Sequence, residues 1–420
     1  MINTTLITFF LSLPFENNLR EWLFEVTNPL FVGVPTSGYS FYFGLNLKLI
    51  FALFLFLLLI INYKKISLPS FKDDWPLIIF FSIACINTIF FSSTITFLGL
   101  LRLWLSVFIY FSAKIFFKQK FNLFPIIVSS IFIFSTLIGF NQIIKQRPLG
   151  KFIELTPSFS EDQGYSTTDG LAQYRVSGFI SHPVYFGSFM SILLPIFISY
   201  GIYTNYAMTL PISLIGIITM LGTNSRSVWF TLLLSLIMLF PNIKNKYLPL
   251  ISKKWGKIIL SIFIAISIII IASRIQSITK IFEDNGNASI RLELMWQSLI
   301  MVSQHPLGVG LNNFTNYLIE QKLPKNLDGF IVPVHNTLLI ITSELGIFAA
   351  SFFIFFVFKS IFFKKIKPSS YLICFGAIVG AMTFLISSQF HPLLNLDPSF
   401  DLFMFTLGFI NSQCQPSSKT

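Results

Sequence analysis

The sequence predicts an all-α polytopic membrane protein with about twelve transmembrane helices, and three observations carry that prediction. Hydrophobic residues make up 54% of the 420-residue chain and charged residues only 11%, where a soluble protein carries about 25%. The apolar stretches have the length of membrane-spanning helices. The positive charge is gathered into a few short segments between those stretches, as the positive-inside rule requires.

The first observation excludes a soluble enzyme, because no water-soluble domain of this size could hide so much apolar surface. Disorder and a disulfide-stapled scaffold are excluded with it. Three cysteines (Cys85, Cys374 and Cys414) form no framework and no zinc-like spacing. The net charge of +12 could suggest nucleic acid, but its distribution does not. Segments 63–75, 113–121, 242–257 and 359–369 hold fifteen lysines against two acids, Asp73 and Asp74, and are predicted to be cytoplasmic.

With those segments fixed, spans are expected near 2–13, 42–62, 76–91, 94–112, 122–144, 179–203, 207–222, 226–241, 257–273, 335–358, 370–390 and 397–411. Both termini are then cytoplasmic and the whole of 1–420 is one integral membrane domain. The first span lacks a basic leader and a cleavage site, so a removable signal peptide is not expected. Two polar segments fall on the outer side, a first loop at 145–178 and a large loop at 274–334. In the larger one, Leu292, Met295, Trp296, Leu299 and Val302 follow helical spacing, and this amphipathic helix is expected to lie at the membrane surface.

Arginine is distributed unlike lysine. Arg20, Arg147, Arg175, Arg226, Arg274 and Arg291 fall on the predicted outer side, and Arg102 lies inside a span. The planar guanidinium fork suits bidentate binding of phosphate oxygens. Arg226 stands out, because "TNSRSVW" is a short outer turn whose flanks offer no carboxylate. His335 lies where the large outer loop enters a span, and a helix N-terminus disfavours protonated imidazole, so this histidine suits a general base. His182, His305 and His391 all precede proline, which points to turns. Glu344 lies nine residues further into the helix of His335, on its opposite face, and needs a polar neighbour, for which Arg102 is one candidate. Asp397 and Asp401 could form a carboxylate pair on a helical turn. No metal constellation, P-loop or dinucleotide motif is present, so neither metal nor cofactor is expected.

Four stretches together resemble the O-antigen ligase and polymerase superfamily of bacterial envelopes. They are "YRVSGFISHPVYFG" (174–187), "TNSRSVW" (223–229), "RLELMWQSLIMVSQHPLGVGLNNF" (291–314) and "VHNTLLIITSELG" (334–346). By motif the resemblance covers about 170–360. It implies a C-type glycosyltransferase-like fold in the bacterial inner membrane, with the active site facing the periplasm. It further implies a metal-independent, inverting transfer of a glycan from undecaprenyl pyrophosphate to a hydroxyl acceptor, either lipid A core or a growing glycan. His335 matches the family's catalytic histidine. Arg175, Arg226 and Arg291 match arginines near the pyrophosphate, and Asn336 of the "HN" pair joins the substrate-binding group. Glu344, Arg102, His305, Asp397 and Asp401 are supporting candidates, with the acid of the last outer loop being Asp397 or Asp401. Partners would be the lipid-linked donor, the acceptor and membrane lipids, with no nucleic acid. The rival expectation is a twelve-span transporter or flippase of lipid-linked sugars, which would keep its working residues at the bilayer midplane.

Overall fold

The structure is a computed structural model that describes residues 2–13, 51–57, 73–147, 165–166, 173–180, 182–251, 261, 287–321, 333–362, 366, 370–392 and 398–413. It is built almost wholly of helices: α1 (Ile2–Leu11), α2 (Trp75–Phe91), α3 (Thr94–Gln119), α4 (Leu123–Lys145), α5 (Pro183–Thr204), α6 (Thr209–Leu221), α7 (Arg226–Ile251), α8 (Asn287–Gln304), α9 (Phe314–Glu320), α10 (Thr337–Phe362), α11 (Tyr371–Ser387) and α12 (Pro398–Ser412). Two-residue strands β1 (Tyr165–Ser166) and β2 (Gln173–Tyr174) pair antiparallel inside the expected first outer loop. Helices α3, α4, α5 and α10 are long and apolar enough to cross a membrane, while α2, α6, α11 and residues 226–242 of α7 are shorter apolar helices. The expected span at 257–273 lies outside the described residues except for position 261, and 42–62 is described, as helix, only over 51–57.

Local chemistry sets several of the helix starts. Ser93 and Thr96 form a reciprocal capping box that opens α3, each side-chain oxygen accepting the other's amide. Helix α5 opens on Pro183, whose missing N–H costs nothing in the first turn, and His182 Nδ1 accepts the Val184 amide at 3.2 Å.

The core forms around α5 and α12. Every residue of α12 is buried, as is nearly all of α5. Helix α11 packs along α5 through small residues: a Cβ on Gly380 would stand 2.5 Å from the Ile192 carbonyl oxygen. The freed space is bridged by polar groups, with Thr383 Oγ1 donating to the Ser191 carbonyl at 2.9 Å and Ser188 and Ser387 hydroxyls 2.6 Å apart. Small residues and interhelical hydroxyls are how apolar helices associate where lipid supplies no hydrophobic driving force. Elsewhere the phenylalanine-rich composition becomes packing, with Phe10, Phe117, Phe124, Phe405 and Phe409 joining α1, α3, α4 and α12.

Helix α10 is broken at Gly346, whose φ of 88° and ψ of 169° no residue with a Cβ adopts readily. The break turns backbone groups outward, and the 306–314 segment binds them. Val309 and Gly310 amides donate to the carbonyls of Ser343 and Glu344, and the Ile347 amide donates to Pro306. Asn87 of α2 completes the joint, donating to the Glu344 carbonyl and accepting from the Leu311 amide. Helix α8 is fixed beside it by the Ser298–Ser343 hydroxyl pair. Its buried face is Leu294, Ser298 and Met301. The predicted apolar stripe points away from the core, with Leu292 66% and Trp296 60% exposed.

The lysine-rich segments differ from expectation in one respect. Residues expected as loops at 113–121, 242–257 and 359–369 begin as helix, with α3, α7 and α10 running on to 119, 251 and 362. The reason is visible at Lys114, which is buried in an ion pair with Asp74. Tyr110 also donates to Asp74, Asn411 donates to Tyr110 and Ser360, and Lys359 lies 3.8 Å from Asp73. The far ends of α3, α10 and α12 are thus held to the start of α2.

Replacing Gly346 by alanine should destabilise the protein by about 1–3 kcal/mol through backbone strain alone, and by more if the Leu307 and Pro306 backbone, 2.7 Å from the new Cβ, cannot yield. Thermal unfolding in detergent measures this, and an unchanged midpoint would contradict the clasped break.

Candidate functional site

At the opposite end of α10 from the lysines, four helix ends meet: the starts of α5, α7 and α10 and the finish of α11. Their junction is stitched by hydrogen bonds. The Thr337 amide donates to the Ser388 carbonyl at 2.8 Å, and its hydroxyl donates to the His391 carbonyl at 3.0 Å. Asn336 caps α10, its Oδ1 accepting the Leu339 amide, while its Nδ2 donates to Gln389. The segment after β2 is held to the α6–α7 turn, with Val176 donating to the Gly222 carbonyl and Arg175 Nε to that of Thr223. Gln142 of α4 pins the next turn by accepting the Ser177 and Gly178 amides and donating to the Gly178 carbonyl.

This scaffold gathers three histidines and three arginines. His335 and His391 have ring centroids 6.3 Å apart. His391 is buried, and its Nε2 lies 2.7 Å from the hydroxyl of Ser227, in the first turn of α7 beside Arg226. His182 and Arg291 are exposed, so the cluster opens to solvent.

The electrostatics are one-sided. All three histidines lie outside the apolar helices, and all three are driven toward the neutral form. Burial, and then the Arg291 charge, lower the pKa of His335 to about 4, with only the nearby Pro333 carbonyl acting the other way. Burial and the charges of Arg175, His335 and Arg291 take His182 down to about 3. His391 is lowered well below its ordinary value by burial, then Arg291, His335, His182 and Arg175. Arg291 is itself lowered, by burial and by Arg226. Among the described residues, every charged neighbour that perturbs these histidines is an arginine or another histidine. Such a cleft attracts anions, and its neutral imidazoles can accept a proton.

Residues 211–354, about a third of the chain, match the O-antigen ligase family. The match makes this segment similar to that family. A comparison with curated proteins gives no match. The matched segment contains Arg226, Ser227, Arg291, His335, Asn336 and the whole 306–346 clasp. Arg175, His182 and His391 reach the same cleft from outside it.

The sequence-derived candidates divide accordingly. His335, Arg175, Arg226 and Arg291 come together, and Asn336 stands beside them with both ends of its amide engaged by the protein. Glu344 does not join them. Its partners are the backbone amides of Asn312 and Phe314, with no guanidinium among them, so Arg102 is not the neighbour it needed. Asp401 accepts from Ser106, one turn beyond Arg102 on α3, within the bundle. His305 sits at the exposed end of α8, 2.8 Å from the Tyr317 hydroxyl. Asp397 lies outside the described residues. The prolines that follow His182 and His391 predict turns, and both histidines do occupy turns. No spacing in the chain announces that their rings meet His335, because they approach from 153 and 56 residues away.

Glu344→Gln tests the division. It sets an amide donor against two backbone donors, so a loss of about 1–3 kcal/mol of stability is expected. The kcat per folded molecule should be unchanged, and a large fall in kcat with full stability would place Glu344 in the chemistry.

Proposed function

We propose that this protein is a membrane glycosyltransferase of the O-antigen ligase and polymerase type, moving a glycan from a polyprenyl pyrophosphate carrier to a hydroxyl acceptor on the outer face of the membrane. The observation that carries the proposal is the cluster in which Arg291 acts on His335, Arg175 on His182 and Arg226 on Arg291, at the end of the bundle remote from the lysines. A pyrophosphate is the anion such a cluster suits, and bidentate guanidinium contacts would orient it.

In the proposed reaction the acceptor oxygen bonds to the anomeric carbon from the side opposite the leaving group, inverting its configuration. The bond from that carbon to the pyrophosphate oxygen breaks, and its electron pair stays with the pyrophosphate. The acceptor proton passes to His335. A hydroxyl is a poor nucleophile at neutral pH, and a positioned base contributes about 10²–10⁴-fold. The arginines meet the charge that grows on the leaving oxygen, in a cleft where such preorganised donors act more strongly than in water. Asn336, by capping α10, holds His335 in place.

Two measurements test this. His335→Ala should abolish transfer in proteoliposomes supplied with lipid-linked glycan while leaving insertion and abundance intact. Transfer at the wild-type rate would refute the base assignment. The pH dependence is set by the sign of the His335 shift. The base must be neutral, and its pKa is lowered to about 4, so kcat/KM should hold down to about pH 5 and fall below it, rather than falling near the ordinary histidine value of about 6.5. Arg291→Gln removes a cation that disfavours the imidazolium, so the acidic limb should move to higher pH. A limb that stays in place would show that Arg291 does not act on His335.

A further inference from the structure

Once His335 has taken the acceptor proton, it must release that proton before the next turnover. The surrounding cations favour release, but the ring is half-buried, its Nδ1 is enclosed, and the Pro333 carbonyl beside it favours the protonated form. A route is needed, and one group outside the proposed chemistry is placed to supply it. His391 is buried, its ring centroid is 6.3 Å from that of His335, and its Nε2 is 2.7 Å from Ser227 Oγ. Centroids at that separation hold the ring nitrogens too far apart for a direct hydrogen bond, and one water at about 2.8 Å from each would span the gap. On the far side, Ser227 is half-buried beside the exposed Arg226, and its hydroxyl is 3.0 Å from that of Ser225.

We infer that His391 and Ser227 form a proton exit for His335. The inference rests on the transferase function proposed above. The step is balanced without any further reagent. A proton from His335 passes through a bridging water to one ring nitrogen of His391, and the other nitrogen releases a proton to Ser227 Oγ. The hydroxyl's own proton leaves to water, so His335 returns to its neutral state and no residue is consumed. Among the described residues, the charged and titratable groups facing His391 are Arg291, His335, His182 and Arg175. None of these is an acid that could trap the proton. His391 is therefore a positioning and relay residue and does not itself touch the reacting sugar.

A purely structural role has a different signature. The His391 backbone carbonyl is already tied to Thr337, so the turn is held without the imidazole, and the ring's bond to Ser227 is an additional connection. His391→Gln places an amide where Nε2 lies, which preserves a hydrogen bond to Ser227 but cannot relay a proton. In proteoliposomes with lipid-linked donor, this variant should lose about tenfold or more in kcat while its donor KM stays within about twofold. Added imidazole, a small proton carrier, should restore part of the lost kcat in the variant and leave the wild type unaffected. Wild-type kcat in His391→Gln, or a loss that imidazole does not relieve, would overturn the relay. If the variant does not fold, Ser227→Ala is measured in the same way: it should show the same imidazole-relieved loss, and its absence overturns the relay equally. Wild type and His335→Ala run in the same vesicles separate the two questions. Absence of transfer by wild type defeats the transferase function itself, equal transfer by both defeats the base assignment and the relay with it, and wild-type transfer lost in His335→Ala leaves the His391 result to stand or fall alone.

Discussion

The close approach of α11 to α5 is the constraint on which the cleft depends. Gly380 leaves no side chain between the two backbones, and the seam is closed by Thr383 on Ser191 and by Ser188 on Ser387. A longer side chain at Gly380 would hold the helices apart. Because the seam runs to the end of α11, it sets where Ser388 and His391 emerge, and the start of α10 is bonded to both. The position of His335 relative to His391 is thus a consequence of helix packing deep in the bundle. In a site where small displacements cost large factors in rate, rigid helices give the needed precision.

The two ends of the bundle solve opposite electrostatic problems. At the lysine end, Lys114 is taken out of water but is paired with Asp74 and supported by Tyr110, so its burial is compensated. At the other end, arginines and histidines repel one another, and each imidazole avoids charge by staying neutral. Crowding of like charge lowers the stability of a protein, and the pyrophosphate of the proposed reaction would relieve it. A site that binds through such relief favours the ligand whose charge grows during the reaction, as that of a departing pyrophosphate does.

The clasp at the break of α10 gives physical meaning to residues that look catalytic in the sequence. "HPLGVGLNNF" and "ELG" fit together: Gly308 and Gly346 meet backbone to backbone, and the Glu344 carboxylate satisfies two amides of the loop. The polar and glycine-rich character of both stretches follows from backbone groups that must find partners once a helix is interrupted. Their role is to hold α8, which carries Arg291, against α10, which begins two residues after His335.

Much of this is legible in the amino-acid sequence. Composition and hydropathy yield the described apolar helices and nearly all their starts, because burial in an apolar medium leaves the backbone few options. The split between arginine and lysine locates the cationic end, because charge is expensive to place wrongly in a membrane protein. His335, Arg175, Arg226 and Arg291 stand out for the same reason. Contacts between residues distant in the chain are not legible. Lys114 reads as a loop residue because its partner Asp74 lies forty positions earlier. Glu344 reads as short of a cation because backbone amides leave no trace in a sequence. His182 and His391 read as turn residues because their prolines are the only local signal. The sequence by itself determined which groups this protein owns and at which end of its helices they sit. The tertiary structure alone decided which of them meet, because that depends on how closely two helices can pack and where a third one breaks.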